Sequence, residues 1–269
     1  MRKIAQRPVA LTIAGSDSGG GAGIQADLKT FAALGVHGTS AIACLTAQNP
    51  RRVSAIEAVS PGLLRQQIEA VFEELPPAAV KAGMLFSADN TRIVAEFFHH
   101  RPSAIGHRQL VVDPVMVSTS GTELLQPAAA EVLIQQLLPL AALVTPNLAE
   151  AEILTGRKIS SVENMRAAAR EIHARFGCSA LVKGGHLRQT REAADVFFDG
   201  RMELLLTTPF IKGVRTHGTG CMYSAAITAA LACGHDLPHA VELAKNFVTR
   251  AIVNSYRVGK HSALNPLFH

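Results

Sequence analysis

Short apolar runs alternate along the chain with longer stretches whose apolar residues recur at helical spacing. Val9 to Ala14, Ser40 to Leu45, Ala79 to Ala82, Gln109 to Val112, Ala142 to Thr145 and Ala180 to Lys183 read as buried strands. The helical pattern predicts Ile24 to Leu34, closed by Gly35, and Leu63 to Leu75, ended by Pro76-Pro77. It also predicts a helix capped by Asp89 and reaching His99, then Ala128 to Leu138, Asn147 to Gly156 and Val162 to Phe176. Asp195 to Phe198 and Met202 to Leu206 flank Asp199-Gly200, a strong hairpin signal. Helices Thr219 to Cys233 and His239 to Val253 close the pattern.

Repeated strand–helix alternation predicts an α/β fold: a mainly parallel central sheet, helices on both faces and an antiparallel hairpin near one edge. No repeat, low-complexity tract or Pro/Gly-rich linker divides the pattern, so residues 1–269 are expected to form a single domain. With 48% hydrophobic residues the chain has ample material for a core. Ligands of such sheets bind beyond the carboxyl ends of the strands. The polar clusters fall there: Gly15 to Gly23, Gln48-Asn49, Asp113 to Gly121, Thr145 to Glu150, Lys183 to His186 and Thr216 to Cys221.

Composition narrows the function. Two Tyr and no Trp argue against an aromatic platform for nucleic acid. A net charge of +5, scattered rather than clustered, reads as a solvated basic surface that attracts anionic metabolites such as ATP. Cys44, Cys178, Cys221 and Cys233 form no C-x-x-C pair and no compact Cys/His cluster, as expected of reduced thiols. Met1 to Pro8 lacks an apolar signal region, and no apolar run is long enough to span a membrane. A cytoplasmic protein without membrane or nucleic-acid partners is expected.

Thr216-His217-Gly218-Thr219-Gly220-Cys221 carries the most chemistry. Two glycines permit a tight turn, and the helix that follows offers unpaired N–H groups and a dipole suited to an anion. Cys221, in its first turn, gains thiolate character there, as a base or a nucleophile. His217 beside it raises a Cys/His hydrolytic pair as a rival.

The other clusters each have a plainer reading. Gly15 to Gly23 fits neither a dinucleotide loop nor a Walker A loop, but its glycines favour close approach to a small ligand. Asp27, one turn on, reads alone as a solvated helix charge. Gln48 is an ordinary turn residue or a partner for a heterocycle edge. Met84 and Val115 are core residues or walls for a flat ring. Asn147 and Glu150 are a capping box or, with Asp113, oxygen ligands for Mg²⁺. Lys183 before Gly184-Gly185 is a common strand ending or a phosphate contact.

The order and spacing of A-G-S-D-S-G-G-G-A-G-I-Q-A-D-L-K-T-F (Ala14 to Phe31), A-Q-N, K-A-G-M-L, V-V-D-P-V-M, T-P-N-L-A-E, V-K-G-G-H and T-H-G-T-G-C identify a resemblance. The chain resembles the bacterial hydroxymethylpyrimidine/phosphomethylpyrimidine kinases of thiamine biosynthesis, within the ribokinase-like superfamily. That resemblance implies a three-layer ribokinase-like fold and places Gly15, Asp27, Gln48, Met84 and Val115 around a pyrimidine. It implies Asp113 and Glu150 for Mg²⁺ and Asn147, Lys183, Gly185 and Thr216 for ATP. It makes Gly218, Thr219, Gly220 and Cys221 the catalytic anion hole, with Cys221 as base. Many members carry Lys where this chain has Ser118-Thr119-Ser120-Gly121. The implied reaction moves the γ-phosphoryl of ATP to 4-amino-5-hydroxymethyl-2-methylpyrimidine and then to its monophosphate, in a homodimer. The rivals are a pyridoxal kinase and a pyrimidine-binding protein without turnover.

Overall fold

The computed structural model describes residues 6–101, 109–116, 124–185, 187, 192–211, 213 and 217–268. Thr216, His186 and the 118–121 segment, all singled out above, lie outside these residues.

The central sheet contains β1 (Val9–Ala14), β2 (His37–Ile42), β5 (Ala79–Ala82), β6 (Leu110–Val112), β7 (Leu143–Val144), β8 (Ser179–Lys183), β9 (Glu192–Phe198) and β10 (Glu203–Pro209). Their order across the sheet is β10-β9-β8-β7-β6-β5-β1-β2. The strands from β8 to β2 run parallel, whereas β9 and β10 are antiparallel at one edge. The Asp199-Gly200 turn joins these last two, as the sequence predicts.

Strand alternation sorts the core into two layers. Leu110 and Val112 join the cluster formed with α2 (Pro61–Glu74), α3 (Ala88–His100), α5 (Leu148–Thr155) and α6 (Val162–Phe176). Val111, between them, joins the opposite cluster with α1 (Gly23–Ala33), α7 (Thr219–Ala232) and α8 (Leu237–Val253). Both faces are buried, which explains why the central strands read as continuous apolar runs. Helix α7 is buried from Met222 to Ala232, and its many Ala residues let α1, α8 and the sheet approach closely.

Three local expectations change. The expected strand Ser40 to Leu45 is two elements, because the chain leaves the sheet at Ala43. After β2, β3 (Cys44–Asn49) pairs with β4 (Arg52–Ala58) in a separate antiparallel sheet above the strand ends. Ser87, not Asp89, caps α3, because its side chain accepts the Asn90 N–H. The stretch Ala128 to Leu138 is α4 (Pro127–Val132) followed by a wider π turn over Leu133–Leu137. Beyond α8, a small hairpin of β11 (Tyr256–Val258) and β12 (His261–Ala263) was not foreseen.

The strand order reverses direction between β1 and β5, where the crossovers diverge to opposite sides. Gly15 N donates to Met84 O and Ser16 N to Cys44 O, tying the segments that leave β1 and β5 to the β3 entry. An ideal Cβ on Gly15 would lie 2.6 Å from Cys44 Sγ, so glycine is required for this closure.

Candidate active site

A cavity of about 380 Å³ opens at the carboxyl ends of the strands. The described candidates Gly15, Gln48, Met84, Asp113, Val115, Asn147, Glu150, Lys183, Gly185 and Gly218 to Cys221 all line it. Asp27 does not.

Gly218 opens α7 in the left-handed region, φ +83°, and an ideal Cβ there would lie 1.8 Å from Gly21 O. The first turn of α7 is thus pressed against the glycine turn ahead of α1. The N-terminal N–H groups of α7, from Gly218 to Cys221, edge the cavity. The Gly23 N–H, at the start of α1, points to the Cys221 sulfur.

Beneath this turn lies a buried ion pair. Lys81 Nζ is 2.5 Å from Asp27 Oδ1 and donates to Cys221 O at 3.3 Å. Thr12 Oγ1 donates to the other Asp27 oxygen at 2.7 Å. The Asp27 side chain is fully buried and lies outside the cavity lining. It holds Lys81, which does line the cavity. Burial opposes the Lys81 charge, but the Asp27 carboxylate outweighs it, and the ammonium is held above its ordinary range.

Burial works against the thiolate character expected of Cys221. Burial pushes the thiol up to about 11, further than the Lys81 charge pulls it down, and Asp113 and Asp27 add to the rise. The place of Cys221 at the start of α7 is legible in sequence, but its burial and the two nearby carboxylates are not.

Asp113, at the end of β6, is the hub of the opposite wall. It accepts from Lys183 Nζ at 2.9 Å, Thr145 Oγ1 at 3.0 Å and Ser224 Oγ at 3.1 Å. Burial alone would raise it, but Lys183 and Lys81 hold it below the ordinary carboxylate range. Lys183 is held up in turn, because Asp113 and Glu150 outweigh burial. An ideal Cβ on Gly220 would sit 3.1 Å from Lys183 Nζ, so the lysine lies directly against the α7 turn.

Asn147 and Glu150 form the capping box of α5: the Asn147 side chain accepts from Glu150 N and Glu150 accepts from Asn147 N. The plain reading of these residues is therefore correct, and both also line the cavity. Burial, reinforced by Asp113, pushes Glu150 up to about 7 despite the opposing Lys183 charge. Among the described residues no three His, Cys, Asp or Glu cluster as a metal cage. Two carboxylates on one rim fit a cation such as Mg²⁺ that keeps most of its waters.

The glycine loop holds an internal anion. Asp17 accepts from the N–H groups of Gly19, Gly21 and Ala22 at 2.8, 3.0 and 2.8 Å. Burial opposes its charge, but His217 and these N–H groups hold Asp17 below the ordinary carboxylate range. The loop is thus filled by its own carboxylate and is not an open phosphate nest. His217 Nε2 lies 3.6 Å from Asp17 Oδ2 and 3.5 Å from one end of the Gln48 amide, so the ring is engaged with the loop and with β3. This gives the hydrolytic Cys/His reading no support.

An apolar cluster of Cys44, Met84 and Leu124, with Val53, Ile56, Phe86 and Val115 against it, walls the Gln48 end. At the far end the cavity reaches Asp195, Tyr223, Lys245, Val248 and Ile252. Asp195 accepts from Gly184 N at 2.9 Å and from Lys245 Nζ at 2.7 Å, which pins the turn after Lys183. None of these, nor Asp17 and Lys81, was identified as a site residue from sequence. Lys81 carried the one usable signal, a Lys inside an apolar strand, whereas Lys183 was marked as a Lys at a strand end before two glycines.

The sequence profile described as phosphomethylpyrimidine kinase matches residues 17–265. The chain is 49% identical over 262 residues to the hydroxymethylpyrimidine/phosphomethylpyrimidine kinase of Rhizobium meliloti, covering 97% of this chain and 96% of that one. It is 47% identical over 257 residues to the thiamine biosynthesis bifunctional protein ThiED of Geobacter sulfurreducens, covering 95% of this chain and 51% of that one. It therefore spans about half the length of that bifunctional relative. The structure of pyridoxal kinase from Staphylococcus aureus in complex with AMP-PCP and pyridoxal is similar at a TM-score of 0.87 and 33% identity, covering 98% of this chain and 94% of that one.

Proposed function

The chain belongs to the phosphomethylpyrimidine kinase family, and from that premise we propose that it phosphorylates a pyrimidine alcohol twice. The γ-phosphoryl of ATP passes first to the hydroxymethyl oxygen of 4-amino-5-hydroxymethyl-2-methylpyrimidine, then to the phosphate of the product. The observation that carries this reading is one cavity with Gln48 and an apolar wall at one end, Lys183 at the other and the α7 turn between them.

In this mechanism Gln48, Met84 and Val115 seat the ring, and Gly15 leaves room for it. Phosphoryl transfer needs chiefly positioning and charge stabilisation. The N–H groups of Gly218, Thr219, Gly220 and Cys221 take the charge of the moving phosphoryl group, with Gly220 keeping that turn free of bulk. Lys183 stands against the same turn, and Asn147, Gly185 and Thr216 complete the ATP side. Asp113 and Glu150 would hold Mg²⁺, which would supply neutralisation of phosphate charge. Cys221 receives the hydroxyl proton in the first transfer. Its resting thiol must first lose its own proton, so that step responds to pH. The second acceptor is an ionised phosphate and makes no such demand.

We read residues 1–269 as one kinase domain acting in the cytoplasm as a homodimer. The cavity draws residues from Ala14 to Ile252 into one site, and no described helix is long and apolar enough to cross a membrane. Pyridoxal kinase activity is the second reading, supported by the Staphylococcus aureus structure. The higher identity to the pyrimidine kinase, 49% against 33%, favours the pyrimidine. Side-by-side kcat/KM values for the pyrimidine alcohol and pyridoxine test the choice, and a preference for pyridoxine would reverse it.

A further inference from the structure

Gln48 is fixed by its backbone before its side chain is considered. Its N–H donates to Ser18 Oγ at 2.8 Å, and Ser18 Oγ donates to Gln48 O at 2.8 Å. The register of β3 against β4 shifts between Ala47 and Gln48, and Gln48 lines the cavity. The remaining freedom is which way round the amide lies. One end faces His217 Nε2 at 3.5 Å and the other faces Thr46 Oγ1 at 3.4 Å.

The neighbours decide this. The single proton of the Thr46 hydroxyl goes to Ser16 O at 2.7 Å, so the oxygen offers Gln48 only lone pairs. His217 Nε2 faces the Asp17 carboxylate at 3.6 Å. A carboxylate there favours a proton on Nε2, and an Nε2–H shared between Asp17 and the Gln48 amide leaves that nitrogen no lone pair with which to accept from the amide. Gly21 leaves room for this ring position, since an ideal Cβ there would lie 3.2 Å from His217 Cδ2. With the amide oxygen toward His217 and the nitrogen toward Thr46, both contacts pair donor with acceptor. The reverse sets donor against donor and acceptor against acceptor.

We infer that His217, backed by Asp17, and Thr46 lock the Gln48 amide with its oxygen on the His217 side, and that this lock selects a 4-aminopyrimidine over a 4-oxopyrimidine. The inference rests on the proposed pyrimidine reading of the site. His217 directly precedes Gly218, so the amide oxygen lies on the side of the α7 turn. A 4-aminopyrimidine carries its amino N–H beside the 5-hydroxymethyl group and an acceptor at ring N3. It pairs with the locked amide while the hydroxymethyl group faces the turn. A 4-oxopyrimidine reverses both groups and meets the locked amide with like against like. His217 and Thr46 are positioning residues acting through Gln48.

The test compares kcat/KM for the 4-amino and 4-oxo alcohols in the wild type, His217→Phe and Thr46→Val. A site built to hydrogen-bond one pattern rejects its mismatch strongly. The wild-type preference for the amino alcohol should fall by about tenfold or more in each variant, as the amide becomes free to turn. An unchanged preference in both variants, with Gln48→Ala losing it, would overturn the lock. If a variant binds without turnover, calorimetry with the 4-amino and 4-oxo 2,5-dimethylpyrimidines gives the same ratio. If the wild type phosphorylates neither alcohol, the kinase reading fails, while the calorimetric ratios still decide the lock.

Discussion

Lys81 Nζ lies 2.5 Å from Asp27 Oδ1, with both side chains buried, directly behind the Cys221 carbonyl. Removing one partner leaves an uncompensated buried charge. Lys81→Met is therefore expected to cost about 3–5 kcal/mol in urea unfolding, and Lys81→Met with Asp27→Leu to recover much of it. A single-variant loss below about 1 kcal/mol would mean the pair is not a buried charge pair in solution.

Cys221→Ala should abolish most of the first phosphorylation and spare the second. The first rate in the wild type should also rise with pH from 7 toward 9, because burial holds the thiol at about 11 and its ionised fraction grows tenfold per unit below that value. The second rate should be flatter. Equal losses in both steps would assign Cys221 to positioning.

Gly218→Ala tests the turn itself. With φ +83° and Gly21 O at 1.8 Å from an ideal Cβ, the α7 turn and the glycine loop must separate. Both phosphorylations should fall by about a hundredfold or more. The loss should be in kcat rather than in KM for the ring, since the Gln48 wall is untouched. Near-wild-type activity would show that this turn does not hold the phosphoryl group.

Glu150 gives a stability signature. In the folded chain its proton is held to about pH 7, against about 4.5 for an ordinary glutamate. Between these values the folded state binds more protons than the unfolded state, so stability falls as pH rises through that window. The expected fall, without divalent cations, is on the order of 2–3 kcal/mol. Glu150→Gln keeps an acceptor for the Asn147 N–H and should flatten the slope. An identical slope in the variant would place the titration elsewhere.

Much of this site is legible in sequence because its residues sit at strand ends, where period and punctuation agree. Thr145 to Glu150 and Gly218 to Cys221 are cases where the turn, the helix start and the chemistry share one short segment. The misses have physical causes. Ser40 to Leu45 reads as one strand because apolar spacing continues across Ala43, and only three-dimensional closure onto Ala14 marks where the chain leaves the sheet. The β3–β4 turn, Pro50-Arg51, lacks the Asn-Gly or Asp-Gly pair that marks Asp199-Gly200. Asp27 reads as a surface charge until Lys81, 54 positions away, is placed against it. Asp17 reads as one more polar loop residue until the Gly19, Gly21 and Ala22 N–H groups converge on it.

The central claim is that one cavity carries out both transfers to a pyrimidine. The most direct measurement is phosphorus NMR of the products formed from ATP, Mg²⁺ and 4-amino-5-hydroxymethyl-2-methylpyrimidine over a time course. The monophosphate should appear first and the diphosphate should follow at its expense, with one ADP formed per transfer. A reaction that stops at the monophosphate, or ATP turnover that leaves the pyrimidine unmodified, would contradict it.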